Sequence, residues 1–198
     1  MRRHSERGFT LIEMLITIAI IGMIAAFAAP AFMTIARHAA ARNAAGELRS
    51  IFFAARMRAI ARGHNCGVKF SKAADGWTYA LYDDGDGDGV RNDDITSGVD
   101  KCAQPPRRVL AGMERRAFIG LPPYALVDPD GDPLPSTKSP VNFNNSTICS
   151  FSPVGEATPG TIYITDSIDD VYAARVFGTT GRIRVLRWNR GKSKWEQK

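Results

Sequence analysis

From Phe9 to Ala29 the chain is apolar apart from Thr10, Glu13 and Thr17, a run of 21 residues. As a helix rising about 1.5 Å per residue, such a run is about 30 Å long, enough to cross the hydrocarbon core of a bilayer. Residues 31–62, beyond Pro30, are rich in Ala, Arg, Leu and Met, all good helix formers, and Gly63 supplies a stop. In this second stretch Leu48, Ile51, Phe52, Ala55 and Ala59 recur at helical spacing on one face, with Glu47, Arg49, Arg56 and Arg62 largely elsewhere. The pattern predicts one long helix, lipid-facing in its first half and amphipathic in its second, where the apolar stripe packs on a sheet.

After residue 65 the spacing changes to short β-like runs at 66–70, 77–82, 107–110, 117–119, 148–151, 161–165, 172–177 and 182–188. Clusters of Gly, Pro and Asp divide them, and no helical stretch intervenes, which favours antiparallel sheets over a parallel α/β fold. Residues 128–140, with Pro129, Pro133, Pro135 and Pro140, are expected to form a surface loop. The fold class read from this order is α+β, a long helix packed on an antiparallel β-sheet head.

A length of 198 residues suits one globular domain with an appendage. Charge alters the picture more by its placement than by its total of +6: the chain from Arg175 to its end carries eight Lys or Arg against the single acid Glu196, whereas acids dominate between Asp75 and Asp100. An anionic partner or membrane surface is therefore suggested for the basic tail alone. The three cysteines, Cys66, Cys102 and Cys149, lack the close spacing of a zinc or redox motif. They allow at most one intramolecular bridge, among three pairings that sequence does not separate.

The N-terminus carries the sharpest chemistry. Ahead of the apolar run stands a short basic segment, MRRHSERG, and inside the run stands a carboxylate, Glu13. An ordinary secretory signal ending in Ala-Phe-Ala-Ala at 26–29 does not account for that acid, which costs about 2.5–3.5 kcal/mol if unpaired in lipid. A charge kept there suggests a partner.

Gly8-Phe9-Thr10-Leu11-Ile12-Glu13-Met14-Leu15 resembles the type IV prepilin processing motif. The resemblance implies cleavage by a prepilin peptidase between Gly8 and Phe9, N-methylation of Phe9, pairing of Glu13 with the terminal amine of a neighbouring subunit, and a helix kink at Pro30. Charge pairing in a low-dielectric bundle offsets the desolvation of both ions. Residues 48–68, LRSIFFAARMRAIARGHNCGV, together with FSPVG at 151–155 and GTTGRIRV at 178–185, resemble blocks of the FimT/GspH group of minor pilins and pseudopilins. The Asp-rich and Pro-rich inserts depart from that group. The domain reading that follows is a leader over 1–8, a transmembrane helix over 9–29, its amphipathic continuation over 30–63, and a β-rich periplasmic head over 64–198. The implied role is that of a minor subunit of a type IV pilus or type II secretion pseudopilus, helping to initiate, cap or modify the filament from the inner membrane. Its implied partners are other pilin subunits, the prepilin peptidase, membrane lipid and the assembly platform.

Two further segments carry candidate chemistry. Asp84, Asp86, Asp88 and Gly89 match the start of a calcium-binding EF-hand loop, with Asn92 at the ninth position, but Ile95 stands where the bidentate Glu belongs. The segment is read either as a calcium (Ca2+) site or as a solvated turn in which Asp and Gly supply tight geometry. In the tail, Arg182 and Arg184 alternate with Ile183 and Val185, placing both guanidiniums opposite the apolar pair, and Arg187 extends the charge. Gly181-Arg182-Ile183-Arg184 resembles the Gly-Arg-x-Arg motif of DNA-binding FimT proteins, so the alternative function is a DNA-binding minor pilin for natural transformation; otherwise the segment is a charged strand edge. No enzyme is expected: His4, His38 and His64 accompany no recognisable nucleophile, and the carboxylates among the glycines of 84–89 would repel phosphate.

Overall fold

The computed structural model describes residues 9–74, 76–109 and 116–197. The leader, including Gly8, and the end of the strand expected over 107–110 lie outside the described residues. The chain divides into two compact units, one ending at Ala36 and the other beginning at Arg37.

In the first unit, α1 (Leu11–Arg62) starts on a capping box. The Thr10 hydroxyl accepts the Glu13 N–H at 3.3 Å, and Glu13 Oε2 accepts the Thr10 N–H at 2.9 Å and the Thr10 hydroxyl at 2.8 Å. Farther along, the hydroxyls of Thr17 and Thr34 donate to the carbonyls of Met14 and Pro30, so neither presents a bare polar group. Pro30 lies inside the helix. Every residue from 9 to 33 is exposed within the chain, and the helix is long and apolar enough to cross a membrane.

In the second unit the same helix contributes Ala40, Ala41, Ala44, Ala45, Leu48, Ile51, Phe52, Ala55 and Ala59 to the core, which includes the stripe expected from spacing. Phe52 is its centre, with rings of Phe70, Phe143 and Phe151 at 5.8, 5.6 and 6.2 Å. The first sheet is antiparallel in the order β3 (Lys101–Arg108), β2 (Gly76–Asp83), β1 (Cys66–Ala73), β8 (Ile148–Phe151). The second runs β12 (Lys194–Gln197), β11 (Ile183–Asn189), β10 (Val171–Val176), β9 (Gly160–Thr165), and the far edge of β9 is shared by β4 (Phe118–Ile119) and β7 (Val141–Phe143).

Alternation along the second sheet sorts its residues between two cores. Ile162, Ile164, Tyr172, Ala174, Val176, Ile183 and Val185 pack with the helix. Tyr163, Val171, Ala173, Leu186, Trp188 and Trp195 face the other way, under a hairpin of β5 (Leu126–Val127) and β6 (Pro133–Leu134). The Pro-rich segment is thus a cover over a second cluster and not only a surface loop. Two-residue strands give little periodicity to read, which is why spacing alone missed them. Spacing likewise missed α2 (Asn92–Ser97), a short helix inside the Asp-rich insert.

Candidate functional site

The assembly segment is built from four residues at the start of α1. Both Thr10 bonds converge on Glu13 Oε2, and Oε1 meets no donor among the described residues. The carboxylate therefore does have an intrachain partner, contrary to the expectation from sequence, yet keeps one oxygen for a second. An N3 acid serving the helix N-terminus this way is also favoured by the helix dipole.

The Asp-rich loop is organised by two of its own carboxylates. Asp84 Oδ1 accepts the N–H groups of Asp86 and Gly87, while Oδ2 accepts that of Gly89 and the Asn65 amide. Burial works against the Asp84 charge, but the Asn65 bond and the backbone N–H groups outweigh it and hold its pKa below the usual carboxylate range. Asp100 accepts the N–H groups of Gly85 and Arg91 and closes the loop. Asp84, Asp86 and Asp88 present oxygens within 4.8 Å of one another, as the motif predicted. Asn92 opens α2 and lines a cleft beside Asp88. Desolvation raises the Asp88 pKa, Arg91 opposes it, and repulsion from Asp86 and Asp94 adds to the rise. Arg91 pairs with Asp88.

The three tail arginines have different surroundings. Arg182 is exposed just before β11. Arg184 lies on the outer face, its guanidinium 5.3 Å from the Phe177 ring, with no ion pair among the described residues. Directly opposite it in register is Arg175, which is bound to Asp130. Arg187 is held by Asp170 Oδ1 through Nε at 3.1 Å and NH2 at 2.9 Å. Trp188 and Trp195 meet edge-to-face at 5.3 Å inside the second cluster, and Trp195 Nε1 donates to the Val127 carbonyl. They cover core.

Two groupings had no signal in the spacing. Asp170, 2% exposed, sits between Arg187 of β11 and His38 of α1, whose Nδ1 is 2.5 Å from Asp170 Oδ2. Asp166 shapes the turn that presents it, its Oδ1 accepting the N–H groups of Ile168, Asp169 and Asp170. His38, half-exposed on α1, is therefore tied to a buried carboxylate at the end of the β9–β10 turn. The second grouping unites the resemblance blocks: a Cβ on Gly181 would lie 2.5 Å from the Gly155 carbonyl and 3.6 Å from Arg56 Nε. At φ +53 and +95, Gly181 and Gly155 form turns that let both loops close over the Arg56 guanidinium. The three cysteines are free thiols, Cys66 and Cys149 buried and Cys102 exposed. Burial, reinforced by Asp83, pushes the Cys66 thiol up to about 12.

Residues 3–29 match the prokaryotic N-terminal methylation motif, and residues 44–185, more than half the chain, match the family described as type II transport protein GspH. The chain belongs to the GspH family. It is a type IV pilin-like protein, a type II secretion pseudopilin or type IV minor pilin, and the family together with the one helix among the described residues that is long and apolar enough to cross a membrane makes it a single-pass inner-membrane protein. As a member of a structural family it interacts with other pilin-like subunits and with a prepilin peptidase. No curated protein and no solved structure matches the chain. The GspH match runs from Ala44 on the helix through the first sheet, β9, β10 and the Gly181 turn into the start of β11, so the Asp-rich and Pro-rich inserts lie within the matched segment.

Proposed function

We propose that this GspH-family chain is made as a prepilin, cut between Gly8 and Phe9, methylated at Phe9, and held in the inner membrane by residues 9–29 with its head in the periplasm. From there it enters a type II pseudopilus or type IV pilus as a minor subunit that initiates, caps or modifies the filament. The observation that supports this best is the match to the methylation motif on a lipid-length span, residues 9–29, whose sole acid, Glu13, keeps one oxygen without a donor among the described residues. An amine from a neighbouring subunit would complete that pair and offset its desolvation. Pro30, which withholds an N–H from the helix ladder, supplies a bending point between the span and the head.

Mass spectrometry of the membrane-extracted protein is expected to find N-methyl-Phe9 at its start. A chain beginning after Ala29, or an uncut Met1 chain in cells with active prepilin peptidase, overturns the reading. Gly8→Ala should leave an anchored precursor, whereas Glu13→Ala should insert and be cut normally but stay out of filaments.

A second reading, DNA capture by a minor pilin, draws on Arg182, which is exposed, and Arg184, which has no ion pair among the described residues. Arg187 contributes to it only if it leaves Asp170.

A further inference from the structure

The outer face of the second sheet holds an arginine with hydrogen bonds unmade. Arg184 Nε is buried without a hydrogen-bond partner, and the side chain has no ion pair among the described residues. Its guanidinium lies over the Phe177 ring, which it shares with Arg175 at 5.2 Å. Register adds to the cost: Arg175 and Arg184 stand directly opposite one another on β10 and β11, and Asp130 neutralises only Arg175. A buried donor left unmet lowers stability, so a ligand that meets it gains what the free protein forgoes.

Arg184 lines a cleft of about 260 Å³ with apolar walls in Phe177, Leu186 and Trp195, each half-buried. Asp130 and Arg175 line it too, and the same two residues line a second cleft of about 330 Å³ together with Lys138, Asn142, Asn144 and Thr161. The two clefts meet at that ion pair, beside the turn between β5 and β6. Their charges differ. In the first, Asp130 cancels one of two arginines and leaves a single positive charge at Arg184. In the second, Lys138 and Arg175 balance Asp128 and Asp130.

That layout selects the occupant. A nucleic-acid strand repeats its phosphate at every nucleotide and needs a row of unpaired cations. Here Arg175 and Arg187 are held by Asp130 and Asp170, and two carboxylates line the second cleft. A polypeptide C-terminus fits better, because it offers one planar carboxylate that a guanidinium grips through two bonds, then one side chain, then uncharged amides. We propose that this paired cleft captures the free C-terminal carboxylate of another polypeptide. Arg184 pairs with the carboxylate, an apolar last side chain lies against Phe177, Leu186 and Trp195, and the preceding amides meet Asn142, Asn144 and Thr161. The capture adds a polypeptide partner to the assembly role and uses the head alone.

Synthetic peptides with free carboxylates, randomised over their last positions and probed with the detergent-solubilised full chain, test it. The peptides retained should share an apolar last residue. Amidating the terminus of a retained peptide should weaken binding about tenfold or more, and Arg184→Gln should weaken it as much. Arg184→Lys, which keeps the charge and loses the fork, should fall between the two. The amidated peptide needs no variant, so the test holds even if Arg184→Gln lowers thermal stability. No peptide retained at millimolar concentration, amides bound as tightly as acids, or affinity indifferent to Arg184→Gln each overturn the proposal. Displacement of a retained peptide by N-acetylphenylalanine at equal concentration would assign the cleft to a small acid, and retention of duplex DNA without any peptide would return Arg184 to nucleic acid; both also overturn it. The filament reading stands under every one of these outcomes, since none involves α1.

Discussion

Asp170 shows how one residue joins elements that are far apart in sequence. Its two oxygens divide between His38, 132 positions away on α1, and Arg187, 17 positions away on β11. The carboxylate is 2% exposed, so removing its charge leaves the guanidinium of Arg187 and the imidazole of His38, each 42% exposed, without this partner. Loss of one partner from a buried pair costs about 3–5 kcal/mol, and the partial exposure of His38 and Arg187 places the expected loss near the lower end. Asp170→Ala should therefore lower the thermal midpoint of the detergent-solubilised protein by several degrees, and an unchanged midpoint would mean that the cluster contributes nothing. Gly181 belongs to the same scale: sequence marks it as a turn, while only the fold shows that Gly155 leaves it no room for a Cβ. Glu13 reads as an unpaired acid until the capping box with Thr10 is in view.

Among the elements, the Asp-rich insert is the one whose chemistry remains a proposal. The calcium reading asks Asp84 to exchange hydrogen bonds that already satisfy both its oxygens for a cation, while Asp86 and Asp88 are exposed and repel each other. A cation between them would relieve that repulsion. If calcium binds, the full chain should gain about 1.4 kcal/mol at a concentration tenfold above its Kd, seen as a rise in the thermal midpoint that Asp86→Ala removes. No rise at millimolar calcium would leave a turn held by Asp84 and Asp100. The helix and most of the longer strands were readable because their periods repeat over enough residues; β1, β2, β8, β9, β10 and β11 all overlap the runs expected from alternation, whereas β3, with Pro105 and Pro106 inside it, was expected only over its last two residues. The short hairpin of β5 and β6 and the helix α2 were not, since two to six residues do not complete a recognisable period and contact with distant partners decides their form.

At the scale of the whole molecule, basic residues gather along β11, β12 and their connection, but pairing thins what is available to an anion. Arg187 is bound to Asp170, Arg175 to Asp130 and Lys192 to Glu196. If the head captures DNA, mobility shifts of the full chain with duplex DNA should weaken as salt rises and drop when Arg182 and Arg184 become Gln. No shift at low salt and high protein concentration leaves assembly as the single function. What the sequence by itself determined is whatever local chemistry and period encode: the processing motif, the lipid-length span, the α+β order, and the helix stripe that becomes the core. The tertiary structure alone decided which charges are spent, as with His38, Asp170 and Arg187, and which apolar side chains are left over, as with Phe53, Met57 and Ile60. The physical reason is that pairing and burial depend on neighbours brought from distant parts of the chain, so the period of the helix shows which stripe its sheets cover but not which other apolar side chains they leave uncovered.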